Sequence, residues 1–430
     1  MTAEEAVKRV QPGDTVAVAP FTCTPHTLCH ALLARVRSGD LRDIRVDHPA
    51  SLAPWCEPDV LGGIELHDNY ATPFNRSAVH AGTVEYLPIG LWKTDTVPDG
   101  FTARPDVFLV PVSPPDRLGW CSFGPGVWLS GTLSRNAALV IAEVHEGFIR
   151  TGGENHVHID RLDVVVEAET PTGGTPAPPL SDEEVAAVEV ICTLVAAELI
   201  NDGDTIQMGV GTVSAALGMY LDGKEDLGIQ TELITGGIVD LVERGVVTGN
   251  RKTIHRRKVV GSACAALAPD ELARIDGNPV FELYDFGHTD DLRRLIQVEN
   301  FVTVNNALQV DLTGQVSAES IGQQMYTGVG GQTVFMIAGA YSPGGKSVSV
   351  TPSSSVLSST GQRVSRIVPT LDPGGVVTVP RTYVDYVVTE QGIAELRGRT
   401  IKERVRALVE VSHPDLRPQL EDDARRLYGV

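Results

Sequence analysis

Aromatic residues make up only 5% of the 430-residue chain, and no apolar run comes near the roughly 20 residues that a membrane-spanning helix needs. No membrane span is therefore expected, and the acidic, amphipathic opening MTAEEAVKRV does not read as a secretory signal. Basic charge is scarce as well. Lys and Arg total 35 against 55 Asp and Glu, a formal net charge of −20. That balance lacks the basic footprint of a nucleic-acid binder and suits a soluble, cytoplasmic protein kept dispersed by like charge. The six cysteines (Cys23, Cys29, Cys56, Cys121, Cys192, Cys264) contain no CxxC pair. A disulfide framework or a zinc ribbon is not expected, and the thiols are read as reduced.

Glycine and proline are plentiful, at 43 and 27 residues, as short strand–turn–helix connections require. The length suits two or three domains of roughly 150 residues. The densest Pro/Gly stretch, Ala168 to Pro179, can continue neither a helix nor a central strand. We read 168–181 as a linker between an N-terminal domain (1–167) and a C-terminal domain (182–430). Ser181 and Glu184 then form a capping-box start for a helix reaching Asn201, with Val185, Val188, Ile191, Cys192, Val195 and Leu199 on its buried stripe. Short apolar runs read as buried strands: Asp14–Ala19, Phe108–Val112 and Leu139–Ala142 before the linker, then Thr205–Met208, Val259–Val260, Val302–Val304, Val334–Ile337 and Val348–Val350. Helical stretches such as Pro25–Val36 and Val213–Leu221 alternate with them. The expected fold is α/β, with two doubly wound domains of similar topology. A short repeat agrees: Gly13-Asp14-Thr15-Val16 and Gly203-Asp204-Thr205-Ile206 each open a strand, 190 residues apart.

Three segments have the composition of a site. Gly209-Val210-Gly211-Thr212-Val213-Ser214 follows a strand and opens a helix, a place where backbone N–H groups can meet an anion. Glu232 stands between a strand end and the turn at Gly236-Gly237, where a partly buried carboxylate can act as nucleophile or base. Gly328-Val329-Gly330-Gly331-Gln332 can form a nest for an oxyanion or phosphate. Other segments carry less. Ser342 to Ser347 lacks the first glycine of a P-loop and precedes a strand, so a nucleotide triphosphatase is rejected. His156 and His158 share a strand face without a third ligand at fixed spacing, and packing is favoured over a metal site. The basic run Arg251–Lys258 reads as a solvated loop, and no GxSxG elbow is present.

Taken in order along the chain, these segments resemble the acetyl-CoA hydrolase/transferase family, the group that contains 4-hydroxybutyrate and butyrate CoA-transferases. The resemblance runs from about Gly13 to His413. It is carried by Val112-Ser113-Pro114-Pro115-Asp116, Gly119-Trp120-Cys121-Ser122, Ile141-Ala142-Glu143-Val144 and Arg150–Ile159 in the first half. In the second half it is carried by Thr231-Glu232-Leu233, Val304-Asn305, Asp311–Val316, Glu319–Gly322, Gly328–Gln332, Ser365–Pro369, Tyr386–Glu390 and His413-Pro414-Asp415.

The resemblance implies that Glu232 is the catalytic nucleophile of a CoA-transferase, which moves CoA between an acyl-CoA and a carboxylic acid through a glutamyl-CoA thioester. It also implies backbone amides of Gly330 and Gly331 as oxyanion donors. CoA-binding positions are implied at Gly209, Val210, Gly211, Thr212, Val213 and Gly328, with Lys346 on the CoA side. Around the nucleophile the family's His is Gln230 here and its Asp is Gly236, while the stretch matching a second oxyanion element, Gly287–Asp291, has neither Asn nor Pro. The implied partners are an acyl-CoA and a small carboxylic acid, with CoA as cosubstrate, no metal or other cofactor, and a homodimeric assembly. On the same fold, a different acceptor would make an acyl-CoA hydrolase or an acyltransferase, and loss of catalysis would leave a CoA-binding protein. Phe21, Trp55, Trp92, Trp120 and Trp128 are available to an acyl pocket, although core positions are expected for most.

Overall fold

The computed structural model describes residues 1–47, 50, 52–90, 104–172, 180–209, 211–265, 267–357 and 359–430. The chain forms two units. One takes in Met1–Pro176, Val260–Thr289 and Thr327–Gly330; the other takes in Ala177–Val259, Asp290–Tyr326 and Gly331–Val430. The sequence boundary at 182 assigned everything beyond it to one domain, whereas two later segments belong to the first unit. Pairing explains why: Glu282 and Leu283 lie beside Gly152 and Gly153 in parallel, and Gly328 bridges to Tyr70. Such distant partners leave no mark on local composition.

The first unit is built on β1 (Thr15–Val18), β2 (Ile44–Asp47), β3 (Ile64–Asp68), β4 (Glu85–Tyr86), β5 (Val107–Val112), β6 (Leu139–Val144) and β7 (Val164–Glu167). They lie in the order β7-β6-β5-β1-β2-β3-β4, and every pairing is parallel. The chain leaves β1 in one direction through β2 to β4 and returns to its other side with β5, the winding of a doubly wound sheet. Helix α1 (His26–Ser38) makes the first crossover and ends at Gly39, whose φ of +81° favours a residue without a side chain. Every residue of β5 is buried, as a central parallel strand covered on both faces requires.

The second unit repeats the plan with β8 (Thr205–Met208), β9 (Gly228–Gln230), β10 (Phe301–Asn306), β11 (Lys346–Val350), β12 (Tyr386–Thr389) and β13 (Gly392–Glu395). These six lie in the order β13-β12-β11-β10-β8-β9; β8 pairs in parallel with both β9 and β10, and among the six only β13 runs antiparallel. Its helices include α2 (Asp182–Leu194), α3 (Thr212–Ala216), α4 (Ile238–Glu243), α5 (Gln332–Tyr341), α6 (Ile401–Glu410) and α7 (Arg417–Tyr428). Among the described residues no helix is long and apolar enough to cross a membrane.

The short repeat is a repeat of hydrogen bonds as well as letters. Ahead of β1, Asp14 Oδ2 accepts from the Gln11 N–H at 2.8 Å; ahead of β8, Asp204 Oδ2 accepts from the Asn201 N–H at the same distance. Gly13 and Gly203 both sit at positive φ, +92° and +83°. The same turn therefore feeds the same central strand in each unit.

Two local expectations need correction. Val334–Ile337, read as a strand, lies inside α5, because a short apolar run has no periodicity of its own that separates a buried strand from a buried helix turn. Val185 was placed on the buried stripe of α2 but is 42% exposed, although Ser181 and Glu184 do form the capping box. That helix also stops at Leu194 and widens into a single π turn over Val195–Leu199.

Candidate active site

Glu232 follows β9 by two residues, and its backbone is fixed from both sides. Thr231, fully buried, donates from Oγ1 to the Met208 carbonyl at 3.0 Å and accepts from the Met208 N–H at 3.3 Å, locking the end of β9 onto the end of β8. Lys252, buried out of the basic loop, donates from Nζ to the Ile229 carbonyl at 2.7 Å and to Gln230 Oε1 at 3.2 Å. Beyond Glu232, Leu233 and Ile234 are buried, and Gly237 turns at φ +85° into α4. The strand end is rigid, and the glutamate projects from it.

The Glu232 carboxyl is half-buried and lies against Gly331, whose backbone N–H favours its charged form. Gly331 caps the N-terminus of α5, a ten-residue helix without a formal charge, so the carboxyl also faces the positive end of a helix dipole. Burial works against ionisation and pushes the group up to about 7, with the Gly331 N–H pulling the other way. Gly331 has φ −90°, open to any residue, so its reason is space rather than backbone angle. A side chain there would run into Glu232 Oε2 and stand 2.9 Å from Asp290 Oδ2 and from the Phe335 ring.

The first glycine-rich turn is tied into the protein's own hydrogen bonds. At the end of β8 the Gly209 N–H donates to the Val304 carbonyl at 3.0 Å, and a Cβ there would lie 2.9 Å from Asn305 Oδ1. The side chain of Asn306 fills the mouth of α3, accepting from the Ser214 N–H at 3.0 Å and from Ser214 Oγ at 2.7 Å. That helix amide is thus capped by the protein itself. Gly211 is glycine because Asn306 lies against its Cα. Thr212 is exposed, Val213 is buried, and Val210 lies outside the described residues.

The structure brings Glu232 and Gly331 together; it does not bring Lys346 to them. Lys346 opens β11 at the amino end of the parallel strands, in register with Val302 at the start of β10. Glu232 lies beyond the carboxyl end of β9. Lys346 Nζ donates to the Leu199 carbonyl at 2.8 Å and stands 3.7 Å from Asp204, in the opening turn of β8. Gly328 and Gly330 belong to the first unit. Gly328 lies against Asn69 and Tyr70, and Gly330 takes φ +53° with the Tyr70 ring 3.7 Å from a Cβ position.

Of the aromatic candidates, Trp55 and Trp128 are buried in the first unit, Phe21 packs on Tyr70 and Trp128, and Trp120 is 41% exposed between His156 and His158. Trp92 lies outside the described residues. No cluster of three or more His, Cys, Asp or Glu able to hold a metal occurs among the described residues, and all six cysteines are free. Sequence reasoning missed Asp290, Asn305, Asn306 and Lys252. The pair Asn305-Asn306 closing an otherwise apolar strand was a usable signal, since amides there must find partners. Asn305 and Gln207 exchange two hydrogen bonds, at 2.8 and 3.1 Å, between β10 and β8. A groove of about 1070 Å³ also opens in the second unit, lined by Leu308, Pro352 and Glu390 just beyond β10, β11 and β12, with Tyr326, Ser354 and Arg366.

Residues 1–173 match the acetyl-CoA hydrolase/transferase N-terminal domain, and residues 270–424 match its C-terminal domain. Over the full chain the protein is 33% identical to a 4-hydroxybutyrate coenzyme A transferase of Clostridium kluyveri, covering 97% of that protein. It is 34% identical to a butyryl-CoA:acetate CoA-transferase of Anaerostipes caccae, over 99% of this chain and 95% of the relative. The crystal structure of RipA from Yersinia pestis superposes with a TM-score of 0.91 at 30% identity, covering 100% of this chain and 98% of that one. With both domain models in order along one chain and full-length relatives above 30% identity, this protein belongs to the acetyl-CoA hydrolase/transferase family.

Proposed function

We propose that the protein is a CoA-transferase that moves CoA between an acyl-CoA and a small carboxylic acid, with Glu232 as nucleophile. The observation that carries this reading is the setting of Glu232: a half-buried carboxyl on a rigid strand end, met by a helix-terminal N–H and titrating near 7. A carboxyl so poised is ionised for a useful fraction of the time near neutrality and is more basic than a solvated glutamate. The names of the Clostridium kluyveri and Anaerostipes caccae relatives support the same reaction class.

The chemistry follows from the carboxylate. Glu232 attacks the thioester carbonyl, the C–S bond breaks, and CoA thiolate leaves an acyl–glutamyl anhydride. The thiolate then attacks the glutamyl carbonyl; the anhydride C–O bond breaks, and the first acid departs as its carboxylate. A second carboxylate reverses both steps and leaves as its CoA ester. In the thiolate attack the glutamyl oxygen becomes an oxyanion, and the Gly331 N–H beside that carboxyl is the donor we assign to hold it. Gly330, beside it in the chain, is the second candidate. Removing one such donor costs about 2.7–4 kcal/mol in other enzymes.

Gly209, Gly211, Thr212 and Val213, just after β8, and the groove beside Leu308, Pro352 and Glu390 lie along the carboxyl edge of the parallel strands, where doubly wound sheets bind ligands. They are the positions we assign to the CoA cosubstrate. The reading further takes the protein to be a cytoplasmic homodimer, on its negative charge and the family resemblance. Steady-state kinetics with the acceptor acid varied test the proposal: parallel lines in double-reciprocal plots and no product without acceptor are expected. Free acid released without any acceptor would make the protein a hydrolase instead.

A further inference from the structure

The groove of about 1070 Å³ in the second unit is lined by four carboxylic acids and two arginines, with His413 beside them. All but one of these groups are already engaged. Glu183 takes both terminal nitrogens of Arg363, at 2.6 and 3.0 Å. Glu184 closes the capping box with Ser181, and Asp372 accepts from Gln309 Nε2 at 3.1 Å. Glu390 accepts from the Ser353 N–H at 2.8 Å, and His413 Nδ1 from the Asp415 N–H at 3.3 Å. Arg366 is the exception. Its side chain makes no hydrogen bond or ion pair among the described residues, and its Nε is buried without an acceptor. The backbone beneath it is fixed: the Arg366 N–H donates to the Ser353 carbonyl at 3.0 Å, and its carbonyl accepts from the Val310 N–H at 2.8 Å. Burial draws the guanidinium below the ordinary arginine pKa, with Tyr326, Glu184 and Glu390 acting the other way.

A donor buried without an acceptor is costly, so Arg366 calls for a ligand that brings acceptors. Phosphate is a poor match. Four acids against two arginines leave the groove net negative whether or not His413 carries a proton, and like charges brought together cost several kcal/mol. The walls favour an uncharged ligand instead: Ile321, Tyr326, Val356 and Leu357 line the groove and are 41–53% exposed. A flat, neutral ring with lone pairs suits both features. Its faces pack on apolar and aromatic side chains and on the plane of a guanidinium, and its ring nitrogens accept N–H bonds. Of the parts of CoA only the adenine is such a ring; the others are a flexible diamide arm and a phosphorylated ribose.

We propose that Arg366 holds the adenine of CoA in this groove and leaves the phosphates outside it. This rests on the reading of the groove as a CoA position. Adenine and the thioester stand at opposite ends of CoA, so the contact serves binding and not the chemical step. Recognition of this kind separates CoA from shorter thiols that carry the same reactive end.

The test is calorimetric binding of CoA, dephospho-CoA and phosphopantetheine to wild type and to Arg366→Met, which keeps an unbranched side chain and removes the donors. CoA and dephospho-CoA should each bind the variant about tenfold more weakly, the loss typical of a cation lying on an aromatic face with a hydrogen bond. Phosphopantetheine should bind both proteins alike, and AMP should compete with CoA for wild type. In exchange assays KM for acyl-CoA should rise by the same factor with kcat unchanged. Equal weakening of all three ligands, or weakening of CoA but not of dephospho-CoA, would put Arg366 on a phosphate and overturn the proposal. Unchanged CoA affinity in the variant would overturn it too, as would AMP that binds without displacing CoA. If the variant fails to fold, saturation-transfer NMR of CoA on wild type decides it. The adenine ring protons should receive more magnetisation than the methyl groups of the pantetheine arm, and the reverse order refutes the proposal. Wild type that binds no CoA would refute the CoA reading of the groove itself, whereas CoA bound with its adenine free refutes only the role of Arg366.

Discussion

The two units begin their central strands alike and finish them differently. Asp14 and Asp204 close the same turn with the same 2.8 Å bond, and β1 and β8 are each flanked by the next strand in sequence and by a later one. At the carboxyl ends the likeness stops. In the first unit, the strand beside the centre ends in Asp47, whose carboxylate takes both Nε and a terminal nitrogen of Arg45, at 2.7 and 3.1 Å. In the second, the corresponding strand leads to Glu232, which meets a backbone N–H and is held near 7 by burial. An acid paired with a guanidinium is committed to structure; one pushed up to about 7 by burial keeps its charge available for chemistry. The amino ends preserve the frame, and the carboxyl ends decide what each unit does.

The largest effect on turnover among neighbours of the nucleophile is expected from Gly331→Ala. Its methyl group would run into Glu232 Oε2 and also crowd Asp290 Oδ2 and the buried Phe335 ring, so the carboxylate is displaced. A displacement on the order of 1 Å costs roughly 100-fold in rate. The check is kcat for exchange alongside a urea midpoint, and a variant with normal kcat would show that the carboxylate position does not matter.

Lys346→Met separates the two ends of the sheet. It removes the bond to the Leu199 carbonyl and the cation beside Asp204, and a loss of about 2 kcal/mol in stability is expected. Turnover at saturating acyl-CoA should not change, because Lys346 lies at the amino edge; a large rise in KM for acyl-CoA would return it to the CoA side. Asp47→Asn should have the smallest effect on turnover, none on exchange, with a stability loss of about 1.5–3 kcal/mol from the weakened bonds to Arg45. Loss of exchange in that variant would erase the contrast between the two strand ends.

Much of the frame was legible because a parallel strand buried on both faces is a short apolar run in any context. Thr205–Met208 has the bounds its residues implied, and the capping box of Ser181 and Glu184 is in place. Val334–Ile337 was not legible as a helix, because four buried apolar residues carry no period. The place of Lys346 was not legible for a related reason. A lysine at a strand start looks the same in sequence whichever edge of the sheet it occupies, and only the register against Val302 reveals the edge. The glycines at 209 and 211 signalled close approach correctly but not to what; the neighbours are Asn305 and Asn306, some 95 residues away. Asp290 could not be placed near Glu232 from sequence, since their meeting point is a third residue, Gly331.

The central claim is that Glu232 carries CoA. Incubation with an acyl-CoA and no acceptor, followed by borohydride, should reduce a glutamyl thioester to an alcohol. Peptide mass spectrometry should then find that change on Glu232 alone, and Glu232→Gln should give neither the adduct nor exchange. An unmodified Glu232 peptide, together with undiminished exchange in Glu232→Gln, would contradict the account.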